Sequence, residues 1–138
     1  MIARNVASGS SFLFDSTEFD SIFIPEDITK EQQMIVTMMS NFIENEVLPH
    51  DEEIENRNYE LHLKLLRKTG ELGILGADIP EEYGGLGLDK VTGNFISEAY
   101  SRGTSFAITM GTQMGIGSLP IVYFGTPEQK RRYLPSLA

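Results

Sequence analysis

The chain has 138 residues, enough for one compact core, and its 41% hydrophobic content is too high for a disordered segment. A formal charge of -9 excludes the basic surface that nucleic acid or anionic lipid would require. With no cysteine there is no disulfide, no thiolate zinc site and no thiol nucleophile.

Residues 1–27 mix Ser, Asp and isolated aromatics, and an irregular arm is expected there, held at points by Phe12, Phe14, Phe19, Ile22 and Phe23. Its first residues lack the apolar core of a signal peptide, so the expected location is cytoplasmic. Thr29 followed by Gln32 predicts a reciprocally capped helix start. Ile35, Met38, Met39, Phe42 and Ile43 then form one apolar stripe, and Pro49 closes or kinks the helix.

After an acidic stretch from His50 to Glu60, Leu61, Leu65, Leu66 and Leu72 predict a second amphipathic helix, ending near Gly73 and Gly76. Pro80, Gly84, Gly85 and Gly87 make the following segment a structured loop. Asp89 is placed to cap a helix through Phe95, Ile96 and Tyr100 to Gly103. A last helix starts at Thr126 and Pro127, with Gln129 completing the cap, Tyr133 and Leu134 inward, and Lys130, Arg131 and Arg132 outward. No segment shows sustained strand-like alternation, so the expected fold is all-α, a bundle of about five or six helices.

Between Arg102 and Glu128 no charged residue occurs. A transmembrane span needs roughly 20 apolar residues. This run fails on quality: it holds five glycines, Thr109, Thr112, Gln113 and a fresh helix start at Ser118-Leu119-Pro120. As a helix from Ser105 to about Gly117 it has three faces. Phe106, Met110 and Met114 are bulky and apolar, while Ala107, Gly111 and Gly115 are small enough to let another backbone approach. Thr109, Thr112, Gln113 and Ile116 form a mixed, mildly polar face. Such a helix can be packed on all sides, or its mixed face can line a long apolar pocket.

Catalytic constellations are thin. His50 and His62 have no carboxylate at metal-ligand spacing that stands out and are expected at the surface. Glu44, Glu46, Asp51, Glu52, Glu53 and Glu55 are expected as a solvated acidic face. No nucleophile elbow, phosphate loop or GxGxxG occurs, so no catalytic or metal-binding residue is assigned.

Two blocks carry a family resemblance: LLRKTGELGILGADIPEEYGGLGLDK and GIGSLPIVYFGTPEQKRRYLPSLA. Together they resemble the N-terminal helical domain of acyl-CoA dehydrogenases, closest in style to the bacterial long-chain and very-long-chain branch. The similarity runs from about Ile28 to Ala138, which sets the expected domain at 28–138. In that family a middle β domain and a C-terminal helical domain follow. Bound FAD takes a hydride from the β carbon of an acyl-CoA while a glutamate of the C-terminal domain removes the α proton, giving trans-2-enoyl-CoA.

The resemblance implies an acyl-CoA substrate, an electron-transfer acceptor and a homo-oligomer for the longer protein. It also implies that this chain, ending before the Thr-Glu-Pro motif of the middle domain, is an inactive fragment without the catalytic glutamate. It places Ile108, Thr109, Thr112, Gln113 and Ile116 on the wall of the fatty-acyl pocket. A stand-alone helical module that binds an acyl chain or assembles with itself is the alternative from a different class.

Overall fold

The computed structural model describes residues 23–138. Seven α-helices occur in this span: α1 (Lys30–Phe42), α2 (Asp51–Glu55), α3 (Tyr59–Glu71), α4 (Lys90–Tyr100), α5 (Thr104–Gly111), α6 (Leu119–Phe124) and α7 (Pro127–Leu137). No strand occurs among the described residues, so the all-α expectation holds. Most of the expected arm lies outside the described residues. Phe23 lies inside them, with its ring 5.9 Å from that of Phe95 on α4.

Local chemistry sets the helix starts. Thr29 Oγ1 accepts from the Gln32 amide at 3.1 Å, and Gln32 Oε1 accepts from the Thr29 amide at 2.9 Å. Thr126 and Gln129 repeat this box at α7, at 3.3 and 2.8 Å. Asp89 caps α4 by accepting from the Thr92 amide at 2.7 Å. Each bond satisfies an amide that the first helical turn leaves without a partner.

Two segments widen into π turns, Ile43–Val47 after α1 and Thr112–Gly117 after α5. Pro49 follows the first and Pro120 the second. Proline offers no amide and crowds the carbonyl four residues back, so regular i→i−4 bonding cannot pass through it. The second π turn closes on Ser118, whose buried hydroxyl donates to the Met114 carbonyl at 2.6 Å.

The α2 turn, where the sequence shows only an acidic stretch, raises the helix count above the expected one. Asp51, Glu52 and Glu53 occupy its first turn, where carboxylates suit the positive end of the helix dipole. Ile54 is its one buried side chain, so no apolar stripe announces it.

The core gathers Met39, Phe42 and Ile43 of the first helical segment, Leu65 of α3, Ile96 of α4, and Phe106, Met110 and Met114 of the α5 segment. Gly103 lets the α4–α5 corner approach: a β-carbon there would lie 3.2 Å from Ile43 Cδ1. The loop after α3 folds back on itself, with the Leu86 amide donating to the Gly76 carbonyl at 2.9 Å and that of Leu88 to the Ala77 carbonyl at 2.8 Å. On α7, Leu134 is fully buried, but Tyr133 is 43% exposed beneath the Arg132 guanidinium. Of the two residues expected inward, only Leu134 is therefore a core residue.

Candidate functional site

The helical segment Thr104–Gly117 is fixed at both ends. At its start, Asp51 accepts a hydrogen bond from the Thr104 hydroxyl, and Glu55 accepts from the Ser105 amide at 3.2 Å. The Ser105 hydroxyl and amide hold the Glu55 carboxyl below its usual range. The acidic stretch thus supplies anions to a helix N-terminus. Two more of its carboxylates are paired: Glu46 accepts from Lys68 at 2.6 Å and Glu44 from Arg102 at 2.7 Å. At the far end of the segment, Gln113 Nε2 reaches the Leu137 carbonyl at 3.4 Å.

The three faces read from periodicity meet different surroundings. Phe106 and Met110 are fully buried and Met114 nearly so. Among the described residues, the small-residue face does not receive a second backbone. A β-carbon at Gly111 would lie 3.4 Å from the Tyr100 hydroxyl, and one at Gly115 would meet nothing among the described residues within 4 Å. Instead, a cleft of about 280 Å³ opens there, lined in part by Asp78, Lys90 and Tyr100. Lys90 Nζ donates to Asp78 Oδ1 at 2.6 Å and lies 5.6 Å from the Tyr123 ring centroid.

Ile108, Thr112 and Ile116 run along one side at four-residue spacing, and all three are exposed. Ile108 is 71% and Ile116 78% exposed. Thr109 and Gln113 flank that stripe, partly buried, with their polar ends turned to partners within the chain. Three of the five expected wall residues are therefore exposed, and two form the shoulders of the face. Phe124, 88% exposed on α6, adds a second outlying apolar group.

His62 departs from its surface expectation. It is half-buried, its ring centroid 5.5 Å from that of Phe106, and its Nε2 lies 2.7 Å from Thr109 Oγ1. The signal was present in the sequence, because His62 sits three residues before Leu65 and four before Leu66, on the inner side of α3. Among the described residues no group of three His, Asp or Glu side chains is placed to hold a metal ion. No helix is long and apolar enough to cross a membrane, among those residues.

Residues 29–138 match the family described as acyl-CoA dehydrogenase, N-terminal domain. A probable acyl-CoA dehydrogenase of Bacillus subtilis (strain 168) is 52% identical over 136 residues, covering 99% of this chain and 23% of that protein. The solved structure of an acyl-CoA dehydrogenase complexed with FAD from Bacillus anthracis superposes with a TM-score of 0.89 at 54% identity, over 94% of this chain and 23% of that one. A chain in the structure described as the electron transferring flavoprotein of Acidaminococcus fermentans matches with a TM-score of 0.70 at 36% identity, over 83% of this chain and 30% of that one. The chain thus spans about a quarter of the length of these relatives. It belongs to the acyl-CoA dehydrogenase family, matching that family's N-terminal domain over residues 29–138.

Proposed function

We propose that this chain forms one wall of the fatty-acyl pocket in an FAD-dependent acyl-CoA dehydrogenase of the long-chain and very-long-chain branch. The observation that carries the proposal is the outward stripe of Ile108, Thr112 and Ile116, on a helix whose opposite face is fully packed. The segment bears no charge, so an apolar chain laid on it leaves no ion without water. In the longer protein the flavin would accept a hydride from the acyl β carbon. None of this chain's residues is assigned to the flavin or to proton abstraction. Its own part is to bind and orient the acyl chain and to exclude water from it.

The same proposal takes residues 1–27 as an arm and 28–138 as the domain, in a cytoplasmic homo-oligomer that passes electrons to a separate acceptor. Exposed Ile108, Ile116 and Phe124 favour further burial, against adjoining domains or another copy.

The test is to express the protein that the gene encodes through and beyond Ala138, and to assay acyl-CoA-dependent dye reduction. Bound flavin with reduction by long-chain acyl-CoA is expected. The 138-residue chain alone, mixed with FAD and a long-chain acyl-CoA, is expected to retain no yellow colour through gel filtration and to reduce no dye. A stop codon directly after Ala138 would overturn the proposal in favour of a stand-alone binding or assembly module.

A further inference from the structure

One polar bond ties α3 to the proposed pocket helix. Nε2 of His62 lies 2.7 Å from Thr109 Oγ1, in a partly buried setting. The imidazole also packs beside Phe106, which is fully buried, with 5.5 Å between the ring centroids. Thr109 itself lies beside Ile108 and three residues before Thr112, at the shoulder of the exposed apolar stripe. A helical threonine has two favoured χ1 rotamers, which differ in where they place its hydroxyl and methyl. Its bond to His62 selects one of them.

We propose that His62 is a positioning residue for acyl-chain recognition. Its bond holds the Thr109 hydroxyl toward α3 and leaves the methyl as the group Thr109 offers to the pocket. This rests on the acyl-pocket function proposed above. A hydroxyl buried against an acyl chain without a partner weakens binding. His62 supplies that partner from the protein side. Either direction of the bond serves, since an imidazole nitrogen accepts the hydroxyl proton or donates to the hydroxyl oxygen according to its tautomer. The effect is confined to acyl chains long enough to reach Thr109.

The experiment uses the full-length flavoprotein and a series of saturated acyl-CoAs of increasing length. His62→Phe keeps an aromatic ring on Phe106 but removes the hydrogen bond; Thr109→Val removes the hydroxyl; Ile116→Trp obstructs the stripe. His62→Phe is expected to raise KM for the longer substrates about three- to tenfold, with kcat and the short substrates changed less than about twofold. His62→Gln, which retains a hydrogen-bonding end, is expected to restore most of the loss.

Thr109→Val removes the group that needs positioning, so His62→Phe in that background is expected to add nothing further. That non-additivity also keeps the test open if His62→Phe loses stability. A purely structural role would lower flavin content and kcat for all chain lengths and would persist beside Thr109→Val. Either result overturns the inference, as does an unchanged KM series in His62→Phe while Ile116→Trp shifts it. If Ile116→Trp also leaves the series unchanged, the acyl-pocket function itself falls.

Discussion

A β-carbon at Gly85 would lie 2.0 Å from the carbonyl oxygen of Ile79. The same carbon would come within 2.6 Å of the Gly76 carbonyl oxygen. Both obstacles are backbone, in a loop whose amides at Leu86, Gly87 and Leu88 are bonded to the 76–79 segment. Gly85→Ala is therefore expected to destabilise the chain by about 3 kcal/mol, the upper part of the usual overpacking range. Gly84→Ala meets no crowding, but its φ of +88° leaves a smaller strain, of about 1 kcal/mol. Urea unfolding of the two variants, side by side, checks the order.

Lys90 joins the loop to the uncharged segment through Asp78 and the Tyr123 ring. Burial alone would lower its pKa, but bonds to Asp78 and Tyr123 and their charges outweigh that and raise it. A raised lysine pKa contributes stability below its unfolded value and loses it as pH rises through the folded value. Asp78→Asn is expected to cost about 1 kcal/mol at neutral pH, a modest figure because the lysine is more than half exposed. Alkaline melting curves should then fall less steeply above pH 10.5 in the variant than in the parent.

Acid acts through the glutamates. Glu55 is held low by the Ser105 hydroxyl and amide, and Glu46 by its bond to Lys68 and by the charge of Lys68. Depressed carboxyl pKa values contribute stability above the unfolded value and lose it as pH falls through the folded one. The melting temperature is expected to drop below about pH 4.5. Glu55→Gln should lower the neutral-pH melting temperature and make that acid slope shallower.

Much of this arrangement is legible because it is local. The two capping boxes need only residues three apart, and the Phe106, Met110 and Met114 face needs only helical spacing. What escaped the sequence depends on distant partners or on weak pattern. His62 and Thr109 are 47 residues apart, so their bond follows from how α3 crosses α5. The α2 turn has one buried residue and no period to detect. Tyr133 sits beside Leu134 on a helix with a narrow buried side, so adjacency did not carry it inward. The glycines at 111 and 115 are correctly spaced for close packing, yet among the described residues Gly111 meets a tyrosine hydroxyl and Gly115 meets no neighbour within 4 Å.

The stripe separates stability from binding. Ile116 is 78% exposed, so Ile116→Asp is expected to change the stability of the chain by no more than about 0.5 kcal/mol. On the proposed acyl-pocket function, the same change in the full-length protein would place an unpaired carboxylate against the acyl chain. It is expected to raise KM for long-chain acyl-CoA about tenfold or more. Matching melting curves and Michaelis profiles for parent and variant check both halves.

The most direct test of the proposed pocket wall is photolabelling of the full-length protein with a long-chain acyl-CoA carrying a diazirine on its acyl chain, followed by peptide mapping. Labelling is expected within residues 104–118, at Ile108, Thr112 or Ile116, and to be blocked by excess unlabelled acyl-CoA. Specific labelling that leaves residues 104–118 untouched would contradict the account.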